Sequence, residues 1–192
     1  MSLGSKGITT RKLAQAALVA ALSFAGYMIG IPVSATGTEI HLGNAFVVIG
    51  AFLLGGPWGG LSGAVGLSLA DLLKGYATSA PKTFILKLII GLVAGLVADK
   101  VMHIKDKDQK GQWKVALVSS AIALGLNVIL DPVVGYFYKM YLLGIPQEVA
   151  SLWTKISSIA TLVNTIVCVI VVTVLWPLLY KGMKKAGLLV WK

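Results

Sequence analysis

The sequence predicts an all-α integral membrane protein, with six transmembrane helices in a single domain over residues 1–192 and both termini in the cytoplasm. Three observations predict it. Hydrophobic residues make up 57% of the chain and charged residues 12%, against about 45–50% and about 25% in soluble domains, and the mean hydropathy is +0.86. The apolar residues fall into six runs cut by charged or Gly/Pro-rich breaks, at about 13–32, 43–56, 57–75, 83–103, 114–138 and 156–180. The basic residues divide unequally between two sets of loops.

Five of the six runs suit a bilayer crossing of about 20 residues. The second, "GNAFVVIGAFLLGG", is short. It is either a thin or tilted helix or one arm of a re-entrant pair with the third. Two separate helices are favoured, because "GGPWGG" at 55–60 breaks the helix and Pro57 then fits the first turn of the next. The third run spaces Gly55, Gly59 and Gly63 four apart, and Gly91 and Gly95 repeat the spacing in the fourth. Small residues on one stripe let backbones approach closely in lipid. The segment 139–155, rich in leucine and carrying Trp153, suggests a stretch lying on the membrane surface.

Orientation follows from the basic residues of short loops. With the amino terminus inside, twelve basic residues flank the inner side: Lys6, Arg11 and Lys12, then Lys100 to Lys114, then Lys181 to Lys192. Four flank the outer side, Lys74, Lys82, Lys139 and Lys155, and Lys87 lies inside a helix. The net charge of +10 is thereby assigned to topology and anionic headgroups, and no nucleic-acid partner is expected. "VSA" at 33–35 imitates a signal-peptidase site, but the preceding apolar run is long for a cleaved leader. The lone cysteine, Cys168, reads as a small buried hydrophobe.

Helical rise, about 1.5 Å per residue, assigns a depth to each intramembrane polar group. Lys87, Asn127, Asp131 and Asn164 fall in the outer third, at the level where His41 and Asn44 open the second helix. Buried charges in lipid pair with one another or line a ligand path. Asp71 and Lys74, three apart, suit either a local ion pair or ligand contact. Lys87 has no acid one turn away, so it needs Asp71, Asp131 or a ligand. Tyr136 belongs to a group of aromatics at the same level, with Tyr27, Tyr76, Tyr138 and Trp153. Such a group forms an interfacial belt or stacks on a flat heterocycle.

Enzyme signatures are missing. "GLSGA" at 60–64 departs from the nucleophile elbow, there is no HExxH and no P-loop, and His41 and His103 lie on opposite sides of the membrane. No metal and no cofactor are expected. Uphill transport would draw on an ion gradient or a separate ATPase.

The block 41–99, from "HLGN" through "ADLLKGY" to "APKTFILK", resembles the S components of energy-coupling factor (ECF) vitamin transporters, in the branch of riboflavin, hydroxymethylpyrimidine and pyridoxine types. The resemblance implies a substrate-binding subunit, not an enzyme, in a bacterial cell membrane. It implies uptake of a water-soluble vitamin, with a hydroxymethylpyrimidine- or pyridoxine-like heterocycle favoured. Its partners would be a transmembrane T component and two cytoplasmic ATPases. The family's Ala-x-x-x-Ala motif, which meets the T component, is matched twice, by Ala16 with Ala20 and by Ala17 with Ala21. The loop 32–43 would be a flap over the vitamin, with Glu39 and His41 as its polar ligand groups. The alternatives are riboflavin or another vitamin, a stand-alone ion-coupled transporter, or an assembly subunit whose polar cluster only knits helices together.

Overall fold

The computed structural model describes residues 9–33 and 38–189. Six α-helices run in chain order: α1 Thr10–Met28, α2 Gly43–Leu54, α3 Gly56–Leu73, α4 Ala80–Leu96, α5 Gln112–Phe137 and α6 Gln147–Lys185. Between α1 and α2 two short strands, β1 Ile31–Pro32 and β2 Glu39–Ile40, pair antiparallel. The expected flap is therefore a hairpin with a fixed register, Ile31 opposite Ile40 and Pro32 opposite Glu39. The inner flanks Lys6 and Lys192 and the flap tip at 34–37 lie outside the described residues.

Local chemistry sets the helix ends. The Thr9 hydroxyl caps α1 by accepting from the Lys12 amide at 3.3 Å. Gly55, at φ 86°, separates α2 from α3 in a conformation that costs a β-carbon dearly, and Pro57 follows inside the first turn of α3. α2 and α3 are thus separate helices. α6 begins nine residues before the expected start at 156, so 147–155 forms its first turns. Glu148 in the first turn and Lys184 and Lys185 in the last complement the helix dipole.

Apart from Asn44 in its first turn α2 is apolar, and it is buried all round with only Phe46 partly open, as expected of a helix with no polar face. It is the centre of the bundle. α3 packs against it, and against α1 and α4, through glycine. A β-carbon on Gly91 of α4 would overlap the Cα of Gly60 of α3, and one on Gly66 would overlap the Ala20 carbonyl of α1. These approaches split the two alanine pairs of α1. Ala16 is buried and Ala20 lies against α3, whereas Ala17 and Ala21 are exposed with Leu18 and Leu22 on the outer face.

Among the described residues, two helical stretches are long and apolar enough by themselves to cross a membrane, Gln112–Leu142 and Gln147–Lys185. The first includes one turn of π-helix, Tyr138–Leu142, that continues α5. At one end of the bundle Trp176 donates to Gln112 at 2.8 Å, and Gln112 donates in turn to the Ile104 carbonyl at 2.9 Å, so both buried polar groups are satisfied. The other end is hollow.

Candidate functional site

A cavity of about 370 Å³ opens where α1 and the hairpin meet the carboxyl ends of α3 and α5 and the amino ends of α2, α4 and α6. The convergence follows from alternating helix direction. Residues late in α3 and α5 reach the same level as residues early in α4 and α6. Glu39, His41, Asn44, Lys87, Asn127, Asp131 and Asn164 all line this one space. Tyr136 does not. It packs edge-on against Phe137, 5.5 Å between ring centroids, and Tyr138 takes the wall position, its hydroxyl donating to the Thr78 carbonyl at 2.7 Å. Tyr136 lies about 145° from the centre of the helical face that carries Asn127, Asp131, Gly135 and Tyr138.

The polar groups fall into two sets. In the first, every group has a protein partner. Asn164 Oδ1 accepts from the His41 amide at 2.8 Å, and its Nδ2 donates to the Glu39 carbonyl at 2.7 Å, so it clips the end of the hairpin to α6. Lys74 pairs with Glu39 at 2.5 Å and also donates to the Tyr27 carbonyl. Of the two readings of Asp71 and Lys74, the local ion pair does not form. A cross-hairpin partner is nearer for Lys74, while Asp71 Oδ1 accepts from the Tyr27 hydroxyl at 2.7 Å. Asp131 accepts from Lys82 at 2.9 Å and from the Thr161 hydroxyl at 2.7 Å.

The second set is left over. Lys87 is 8% exposed and makes no hydrogen bond or ion pair among the described residues. Asn44, Asn127 and Asp71 each keep one buried side-chain oxygen without a partner. Four further orphaned oxygens, on Gln15, Ser23, Ser119 and Thr154, lie away from the cavity; the three that share one cavity with the unpaired Lys87 are those that a ligand entering it can satisfy. His41 joins the set through Nε2. Its Nδ1 accepts from the Gly43 amide at 3.1 Å, which leaves a neutral ring with Nε2 as the donor. Burial, and then the Lys87 and Lys74 ammonium groups, push its pKa down to about 3.

Of the aromatic group expected at this level, Tyr27, Tyr76, Tyr138 and Trp153 line the cavity, whereas sequence reasoning missed Lys82, Ser157 and Thr161 as wall residues. The spacing Ser157, Thr161, Asn164, Cys168 is a buried polar stripe on α6, and it would have pointed to the first two. Cys168 is buried, as expected. No cluster of metal-ligating side chains occurs among the described residues.

An all-helical membrane bundle with a ligand-sized polar cavity at one end belongs to the class of membrane proteins that bind and transport small molecules. Residues 7–183 match the family described as ECF-type riboflavin transporter, S component, and the chain belongs to that family. It is accordingly a substrate-binding subunit of a vitamin uptake system and not an enzyme. Comparison with curated proteins and with solved structures gives no significant match.

Proposed function

We propose that this chain captures a water-soluble vitamin built on a single pyrimidine or pyridine ring, in the manner of hydroxymethylpyrimidine or pyridoxine, and delivers it as the S component of an ECF transporter. The observation that carries the reading is the unsatisfied set Asn44, Asp71, Lys87 and Asn127 around one cavity. Donors and acceptors on facing walls suit the ring nitrogens and exocyclic groups of a small heterocycle. At about 370 Å³ the cavity is near the small end of ligand pockets, and Tyr138 and Trp153 supply flat faces at its rim. A second reading, riboflavin, is favoured by the description of the matching family.

In this reading all six helices span the bacterial cytoplasmic membrane, both termini are inside, and the cavity opens outward. The surplus of inner lysines supports that orientation. The hairpin acts as the flap, held shut by Asn164 and by the Glu39–Lys74 pair. Ala17 and Ala21 form the T-component contact, because they are the pair of the repeated motif on the open face of α1. A T component and two ATPases supply the driving force.

The test is to purify the chain without added ligand, release what it carries and identify it by mass spectrometry, then measure its affinity by calorimetry. A pyrimidine or pyridine vitamin is the expected result. Recovery of riboflavin would select the second reading. Uptake in cells lacking any ECF coupling module would refute the S-component mechanism itself.

A further inference from the structure

The charges around the cavity do not balance. Four lysines act there, Lys82, Lys87 and Lys139 on the wall and Lys74 through Glu39, against the three carboxylates Glu39, Asp71 and Asp131. His41 is neutral and does not alter the count. Lys74 cancels Glu39 and Lys82 cancels Asp131. Asp71 offsets one of the two lysines left, and one positive charge remains.

The surplus has a location. Lys87 is buried with no ion pair, and Lys139 has none either among the described residues. The Lys82 and Lys139 ammonium groups lie 3.5 and 3.9 Å from the point that a β-carbon on Gly135 would occupy, so both crowd the same turn of α5. Asp131 is the carboxylate paired with Lys82. Its oxygens are already engaged, Oδ1 by Lys82 and Oδ2 by Thr161. An ammonium held out of water without a counter-ion is unfavourable, and an anion brought in by the ligand removes that penalty.

Resting on the vitamin reading above, we propose that the ligand carries one negative charge, as a carboxylate seated among Lys82, Lys87 and Lys139, while its neutral ring faces Asn44 and Asn127. A carboxylate matches the single surplus charge. A phosphate monoester brings nearly two and would leave the cavity negative.

The experiment uses the full chain in phosphatidylcholine nanodiscs and compares affinities by calorimetry within matched pairs, nicotinate against nicotinamide and 4-pyridoxate against pyridoxine. Hydroxymethylpyrimidine, riboflavin and pantothenate complete the panel. The acid of a pair should bind at least about tenfold more tightly than its neutral partner, the ordinary effect of one charge-assisted contact. K87M should bring the acid-to-neutral affinity ratio down to within about threefold of one, whatever the absolute affinity of the neutral compound. K139A, a change at the half-buried rim that leaves the core intact, should weaken the acid alone by about three- to tenfold. A neutral pyridine or pyrimidine compound as the tightest binder, or equal affinities within both pairs, overturns the charge inference and leaves the vitamin reading standing, and riboflavin as the tightest binder overturns both. Pantothenate as the tightest binder supports the charge inference and overturns the ring reading. Binding by none of the panel overturns both.

Discussion

Replacing Asn164 with alanine tests whether the hairpin is the gate. The side chain is 6% exposed and makes two hydrogen bonds, both to the hairpin backbone, at 2.8 Å from the His41 amide and 2.7 Å to the Glu39 carbonyl. N164A deletes both and leaves a donor and an acceptor unpaired at the base of β2. Net loss is about 1 kcal/mol per bond, or more where the orphaned group stays dry. The closed hairpin therefore loses about 2 kcal/mol relative to the open one, and opening becomes about 30-fold more frequent. Because release waits on opening, the vitamin off-rate should rise by about the same factor, with the on-rate changed only a few-fold. The assay loads the protein with the labelled vitamin recovered from it, chases with excess unlabelled vitamin and follows loss of label. A spin label at Val33, on the exposed side of the hairpin, reads mobility in parallel. A folded N164A protein with an unchanged off-rate refutes the gating role. A raised off-rate with unchanged mobility at Val33 assigns Asn164 to direct ligand contact instead.

Lys74→Met removes the second latch, the pair with Glu39, and should also raise the off-rate; because Asn164 holds the Glu39 carbonyl and Lys74 the Glu39 carboxylate, the double variant should depart from the sum of the two single effects, which the same chase experiment checks. Ala17→Leu and Ala21→Leu, on the open face of α1, should leave binding unchanged and abolish uptake in cells with the coupling module. Ala20→Leu should instead lower thermal stability, because that residue lies against Gly66. Gly91→Ala would drive a methyl into Gly60 and part α3 from α4, at about 1–3 kcal/mol; a melting temperature equal to that of the unmodified protein would sink this account of the packing.

The chain's membrane class, its six helices and the level of its polar residues were legible in the sequence, because each depends on properties that add along the chain. An apolar run of bilayer length reads as a span wherever it sits, and the rise per residue carries Lys87, Asn127 and Asn164 to one level without knowledge of which helices touch. What rotation about a helix axis decides was not legible. Tyr136 and Tyr138 share a level and differ by about 200°, and only packing put Tyr138 on the wall. Ala16 with Ala20 and Ala17 with Ala21 are the same motif one residue apart, and the approach of Gly66 to Ala20 is what turns the second pair outward. Pairing was the other matter reserved to the tertiary structure. Lys74 has Asp71 three residues away on its own helix yet joins Glu39 on the hairpin, and Lys82, read as an outer flank, holds Asp131. A charge in a bundle goes to the partner that burial brings nearest, and sequence separations of 35 and 49 residues leave no local pattern from which to foresee it.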